Sequence, residues 1–210
     1  MNQPAAKPRR GRPPKSSRAD QDTRAELIRS GTEVLTEQGF AASGIDSILK
    51  RVGVPKGSFY YYFSSKEVFG RAIMEHYGAY FANKLDRHLL NARLSPLHRI
   101  DAFVADAKEG MARHDFRRGC LVGNLGQEVG GLPEGYRQWL IDTLDDWQQR
   151  LTRCLEEAQA AGELSRDAEC SRLAEAFWIG WEGAVMRARL ERSVHPMEVF
   201  IRCYLDGLPR

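Results

Sequence analysis

Val52-Gly53-Val54-Pro55-Lys56-Gly57-Ser58-Phe59-Tyr60-Tyr61-Tyr62-Phe63-Ser64-Ser65-Lys66-Glu67 is the stretch on which the reading of this chain turns. Glycine tolerates the left-handed conformation that ends helices, so Gly53 predicts a stop. Pro55 lacks the N–H that a first helical turn leaves without a partner, which suits it to a start. Residues 55 to 61 are therefore predicted as a short helix, and Ser64 with Glu67 as the capping box of the next. Two short helices joined by a glycine-bearing turn form the arrangement whose second helix enters the major groove of duplex DNA. Gly57 allows close backbone approach there. Lys56, Ser58, Tyr60 and Tyr61 offer donors to phosphates or base edges, whereas Phe59 and Phe63 are expected to pack inward.

Working upstream, Ser43 is expected to cap a short helix with Ile45, Ile48, Leu49 and Val52 inward. Thr23 and Glu26 form a second capping-box pair, opening a brace helix with Leu27, Ile28, Gly31, Val34 and Leu35 on one face until Gly39. Before it, Pro4, Pro8, Pro13 and Pro14 stand among basic residues, and Lys7, Arg9, Arg10, Arg12, Lys15 and Arg18 all precede Asp20, the first acidic residue. Residues 1–21 are thus expected to be a basic flexible arm. Its Arg9-Arg10-Gly11-Arg12-Pro13-Pro14-Lys15 resembles an AT-hook. Either Arg10 and Arg12 enter a narrow minor groove, or the arm is a solvated tail adding sequence-independent affinity.

Downstream, every segment reads as helix. A long one from Ser65 to Leu90 carries Phe69, Ala72, Ile73, His76, Tyr77, Tyr80 and Phe81 as a stripe. Another runs from Ser95-Pro96 to about Gly110, and five glycines then interrupt residues 119–131, where only short, imperfect helix is expected. Pro133 opens a long helix that Gly162 stops, Asp167 is placed to cap the next as far as Arg192, and Pro196 starts the last. Strand-like alternation and internal repeats are absent from the sequence, so the fold class is all-α.

Composition narrows the function. The chain has 210 residues, 42% hydrophobic and 28% charged, as folded globular proteins do. No apolar run of the length of a membrane span occurs and no signal peptide follows the basic start, so no membrane partner and a cytoplasmic location are expected. Cys120, Cys154, Cys170 and Cys203 are too scattered for a zinc site, and no metal or cofactor is expected. Metalloprotease, hydrolase, Walker and Rossmann motifs are missing, and His76, His88, His98, His114 and His195 are not clustered. Ser47-Ile48-Leu49-Lys50 matches S-x-x-K without its companion motifs, so a solvated helix face explains it and no enzyme is expected. An architectural DNA-binding protein is the rival reading; the long helical body argues against it.

The run from Val52 to Glu67 resembles the helix-turn-helix signature of the tetracycline-repressor (TetR) family, and the specific likeness spans roughly residues 23 to 69. The resemblance implies that Ser43, Ser58, Tyr60, Tyr61 and Lys66 face phosphates and that Lys56 and Gly57 approach bases. Pro55 departs from the commoner serine or threonine. It also implies a DNA-binding domain at 22–68 and a ligand-binding and dimerisation domain at 69–210. In the latter the last two helices would form a homodimer, with Trp178, Val185, Phe200 and Tyr204 as candidate contacts. An inducer pocket is implied among Phe103, Met111, Cys120, Asn124, Trp147, Phe177 and Trp181. Gly119-Cys120-Leu121-Val122-Gly123-Asn124-Leu125 looks like the segment of the AcuR-like and NemR-like branch, which answers to unsaturated acids or reactive electrophiles. Three chemistries stay open there. A Cys120 thiolate favoured by Arg117 and Arg118 attacks an electrophile, those guanidiniums hold a carboxylate, or Cys120 is buried and inert. The expected function is that of a repressor released from double-stranded operator DNA by a small-molecule inducer.

Overall fold

The structure, a computed structural model, describes the backbone of residues 17–210 and side chains from Asp22 onward. Arg10, Arg12 and the hook-like motif lie outside the described residues. Among the described residues nine α-helices follow one another: α1 (Ser17–Gln38), α2 (Ile45–Val52), α3 (Lys56–Tyr62), α4 (Lys66–Leu89), α5 (Pro96–Arg113), α6 (Leu121–Gln127), α7 (Tyr136–Ala160), α8 (Cys170–Glu191) and α9 (His195–Asp206). A 3₁₀ turn at Val129–Gly131 separates α6 from α7, and no strand occurs among the described residues.

Several helix ends differ from the sequence expectation, each for a local reason. α1 begins at Ser17, so Thr23 and Glu26 sit in its interior and not at its start. Gly44 stands at the N-cap of α2, because the Ser43 hydroxyl donates instead to Phe40 O at 2.8 Å. Pro55 takes an extended N-cap conformation and leaves the first helical position to Lys56. Ser65, rather than Ser64, caps α4, its Oγ accepting from the Val68 N–H at 3.1 Å. α5 runs through Gly110 to Arg113, and the chain turns where Asp115 and Phe116 adopt φ of 51° and 55°. α7 starts after Gly135 (φ 84°), and α8 at Cys170 behind Glu169, which leaves Pro133 and Asp167 outside both. Gly53 ends α2 as expected, at φ 70° with its N–H on Leu49 O at 2.9 Å.

The 24-residue α4, about 36 Å long at 1.5 Å per residue, ties the two ends of the molecule together. Its first half lies on α1, where Gly31 removes the Cβ that would overlap Phe69 and Ile73. Its second half carries Phe81 into an aromatic core shared with α5, α7 and α8. Phe81 meets Trp147 at 4.2 Å between ring centroids, Trp147 meets Trp178 at 5.1 Å, and Phe103 meets Trp181 at 5.4 Å. Each such ring contributes roughly 2–3 kcal/mol by burial, with ~1 kcal/mol more for a well-placed pair. At the far end Arg99 fixes the α4–α5 corner: it donates to Leu89 O (3.0 Å), Leu94 O (3.0 Å) and Glu157 (2.5 Å).

Candidate functional site

Two regions carry exposed or unsatisfied chemistry, one in the trihelical head and one in the body. In the head, the seven-residue α3 is held from beneath by Phe59 and Phe63, both buried, with Phe69 of α4 at 5.2 and 4.8 Å between ring centroids. That anchor turns the opposite edge outward. Lys56 and Gly57 are exposed, Tyr60 is 50% and Tyr61 73% exposed, and Ser58 is half-buried. Tyr62 and Phe63 sit inward of them. In the free protein Lys56 Nζ pairs with Asp46 of α2 at 3.1 Å, an exposed contact worth ~1 kcal/mol or less and readily exchanged for a phosphate.

Two expected phosphate contacts are corrected. Ser43 is buried, its hydroxyl committed to Phe40 O. The Lys66 ammonium also donates to Phe40 O, at 2.7 Å, and lies over the Phe40 ring; burial lowers its pKa, with the Glu128 charge opposing. Both groups therefore close the α1–α2 corner from inside.

In the body a cleft of about 720 Å³ lies between the end of α1, α6 and α8, lined among others by Arg117, Cys120, Asn124, Glu182 and Arg189. A second of about 440 Å³, between α4, α5 and α8, meets Met111, Arg118, Cys120 and Trp181. Cys120 lines both. Its Sγ accepts from the Gly123 N–H at 3.5 Å, so it caps α6, and Tyr77 Oη donates to it at 3.8 Å. Gly123 has no side chain, and the Glu182 carboxylate occupies the space a Cβ would need. Glu182 Oε1 is shut off from solvent without a hydrogen-bond partner. Burial pushes the Glu182 carboxyl up to about 7, a rise that its hydrogen bond with the Cys120 thiol partly opposes. Burial first, and the Glu182 charge next, push the Cys120 thiol well above its ordinary range.

The remaining sequence candidates fall elsewhere. Neither guanidinium expected beside Cys120 activates it: Arg117 pairs with Asp115 at 3.6 Å, and Arg118 reaches Glu33 and Glu37 of α1, both at 3.2 Å. Phe103, Trp147 and Phe177 belong to the aromatic core and line neither cleft. Trp178 and Val185, expected at a dimer interface, are buried within the chain, while Phe200 and Tyr204 pack on Phe177 and Tyr204 Oη donates to Leu173 O at 3.1 Å. The outward apolar residues of α8 are Ile179, Met186 and Leu190, 72%, 53% and 75% exposed.

Sequence reasoning missed Tyr77 as a cleft residue, and also Glu182 and Arg189. The last two had a signal: they interrupt the inward stripe Trp178, Trp181, Val185, Ala188 with charge at helical spacing. Among the described residues no His, Cys, Asp and Glu cluster could hold a metal, and no helix is long and apolar enough to cross a membrane.

Known proteins share this arrangement. Residues 27–73 match the family model described as bacterial regulatory proteins, tetR family, and residues 96–204 match tetracyclin repressor-like, C-terminal domain. The transcriptional regulator AcuR of Cereibacter sphaeroides is 54% identical over 94% of this chain and 90% of its own length. The HTH-type transcriptional repressor NemR of Escherichia coli K12 is 31% identical over 85% and 90% respectively. The crystal structure of regulatory protein TetR from Rhodobacter sphaeroides superposes with a TM-score of 0.87 at 53% identity, covering 89% of this chain and 98% of that one. Proteins of this family are DNA-binding regulators and not enzymes. With its helical order, its outward-facing α3 and both halves matched, the chain belongs to the tetR family of bacterial regulatory proteins.

Proposed function

We propose that this regulator is a cytoplasmic repressor that holds operator DNA as a homodimer and lets go when a small molecule enters the body. The observation that carries the DNA half is α3: Phe59 and Phe63 anchor it, and Lys56, Gly57, Ser58, Tyr60 and Tyr61 run along its free edge. Residues 17–68 act as the reading head, because α1 starts at Ser17 and not after the arm boundary expected at residue 21, residues 69–210 act as the sensing and pairing body, and residues 1–16 as an arm that adds affinity through Arg10 and Arg12. Two heads read adjacent major grooves only if they sit about one helical turn, roughly 34–36 Å, apart. The pairing surface is the outward face of α8, since Trp178, Val185, Phe200 and Tyr204 are spent on the core.

The effector is a small unsaturated acid or an electrophile, taken up in the cleft at Cys120, Asn124 and Glu182. Cys120 is held there as a neutral thiol, so the first encounter is non-covalent. Fluorescence anisotropy with the duplex upstream of the protein's own gene tests the reading. The wild type is expected to prefer that duplex over random DNA by roughly 10³-fold or more. Replacing Lys56 with Ala, or Tyr60 with Ala, is expected to cost about 1–3 kcal/mol of that preference, five- to more than a hundredfold, without loss of thermal stability. Equal affinity for both duplexes would favour an architectural binder instead. A thermal-shift screen of small unsaturated acids, aldehydes and quinones identifies the effector through the linked rise in stability.

A further inference from the structure

α1 braces the reading head, yet its C-terminal end is not capped by the head's own side chains. The last four carbonyls of a helix need donors from outside it. Gly39 N–H closes on Leu35 O at 2.9 Å, and the body reaches the next two carbonyls: Asn124 Nδ2 at 2.8 Å and Gly119 N–H at 3.4 Å donate to Thr36 O, and Arg189 Nη2 donates to Glu37 O. Just past the helix, the N–H groups of Phe40 and Ala41 both donate to one carboxylate oxygen of Glu128, at 3.0 and 2.8 Å. Gly39 makes the approach possible, because it sits at φ 80° and a Cβ there would overlap that carboxylate. The three side chains are connected. Asn124 lies on α6, which ends one residue before Glu128, and Arg189 also donates to Asn124 Oδ1 at 3.3 Å.

Asn124 and Arg189 line the larger cleft, so the groups that hold the head also face the effector. Arg189 has an unusual set of partners for a half-buried guanidinium. Its hydrogen bonds go to a peptide carbonyl and an amide oxygen, and among the described residues no carboxylate lies within ion-pair distance of it. A carboxylate or other oxyanion is a stronger acceptor than either neutral oxygen.

We propose that Asn124, Glu128 and Arg189 form a clamp that holds α1 in the orientation that reads DNA, and that an anionic effector opens it by drawing Arg189 away from Glu37 O. The three are positioning residues: they touch no DNA and act through α1. The proposal deepens the effector reading above, assigning the ligand class as a small organic anion and the route of release as loss of the α1 end cap. Glu128, outside the cleft, is the fixed part of the clamp; Asn124 and Arg189 are its moving part.

The full-length protein serves for the test, with anisotropy on the upstream duplex and hydrogen exchange read in parallel. Arg189→Met and Asn124→Leu should bind the duplex at least tenfold more weakly with no ligand present, at an unchanged melting temperature. Arg189→Lys keeps one donor towards Glu37 O and should stay within threefold of wild type. Glu128→Ala should speed exchange of the Phe40 and Ala41 amides at least tenfold and leave α7 to α9 unchanged. Linear carboxylates of two to six carbons, saturated and α,β-unsaturated, are then titrated at fixed ionic strength. At least one should release the wild type from DNA and have less than a twofold effect on Arg189→Met. Variants within twofold of wild type on DNA, or Phe40 and Ala41 amides indifferent to Glu128, would overturn the clamp. No release by any carboxylate would overturn the anion assignment. If the wild type itself ignores the upstream duplex, the operator reading has failed, and exchange at Phe40 and Ala41 still judges the clamp.

Discussion

Glu182 keeps a carboxyl largely out of water beside a thiol, and its ionisation is thereby linked to folding. In the unfolded chain it loses its proton near the ordinary 4.5, whereas in the folded protein burial holds the proton up to about 7. Between those values the folded state binds the extra proton, so stability falls as pH rises through the window and levels off above it. Replacing Glu182 with Gln removes the ionisation. The variant should match wild type below pH 4.5 and exceed it by ~2–3 kcal/mol above pH 7, measured by urea denaturation across that range. A constant difference at all pH values would mean that Glu182 ionises freely when folded. Residues differed in how legible they were. The exposure of Lys56, Tyr60 and Tyr61 could be read because a seven-residue helix anchored by Phe59 and by Phe63 at its C-cap has only one edge left for everything else. Ser43 and Lys66 could not: a turn serine or a helix-start lysine looks the same in sequence whether it faces solvent or satisfies a carbonyl such as Phe40 O. Glu182 was masked by the assumption that charge lies outward, which a buried, proton-holding carboxyl escapes.

At the scale of elements, the inward side of α8 was legible, because Phe177, Trp181, Ala184 and Ala188 recur at helical spacing and are buried, while the apolar Ile179, Met186 and Leu190, scattered among Arg172, Glu175, Arg187 and Glu191, gave no comparable signal. In the structure Trp178, Trp181 and Val185 enter the core, and Ile179, Met186 and Leu190 recur outward at spacings of a single helical face. Large apolar side chains left in water along one face mark a pairing surface. If this face pairs two copies, as proposed above, Met186→Glu and Leu190→Glu each place a charge in the interface, and each is expected to weaken self-association by about 3 kcal/mol, roughly a hundredfold in dissociation constant, by sedimentation equilibrium. Trp178→Phe, directed at the inner face, should leave association unchanged. The start of α1 was hidden for a related reason. No glycine or proline stands between Ser17 and Asp22, so the helix continues upstream through them and Thr23 does not stand at its start. The α2 stop at Gly53 was legible because a left-handed glycine is a local requirement that no distant contact overrides.

For the whole molecule, the proposed homodimer would bind DNA through the sum of the phosphates neutralised by two heads and two arms. Affinity for the upstream duplex should fall by about 10³-fold or more between 50 and 200 mM salt. Removing residues 1–16 takes away Lys7, Arg9, Arg10, Arg12 and Lys15 from each copy. The slope of log affinity against log salt should then flatten by about 0.9 for each phosphate that is no longer neutralised, read by anisotropy over a salt series. An unchanged slope would mean that the arms stay off the duplex. All-α architecture and helix order were legible from the glycines, prolines and apolar spacing of single segments. The joint between head and body was not, because it depends on residues as far apart as Thr36 and Asn124, or Glu37 and Arg189. Ile179, Met186 and Leu190 do more than form a stripe, since all three also border the larger cleft. A second copy seated on that stripe would roof the opening. An inducer would then have to slip in along the seam between the copies, and the looseness of that seam would set how promptly the cell hears its signal.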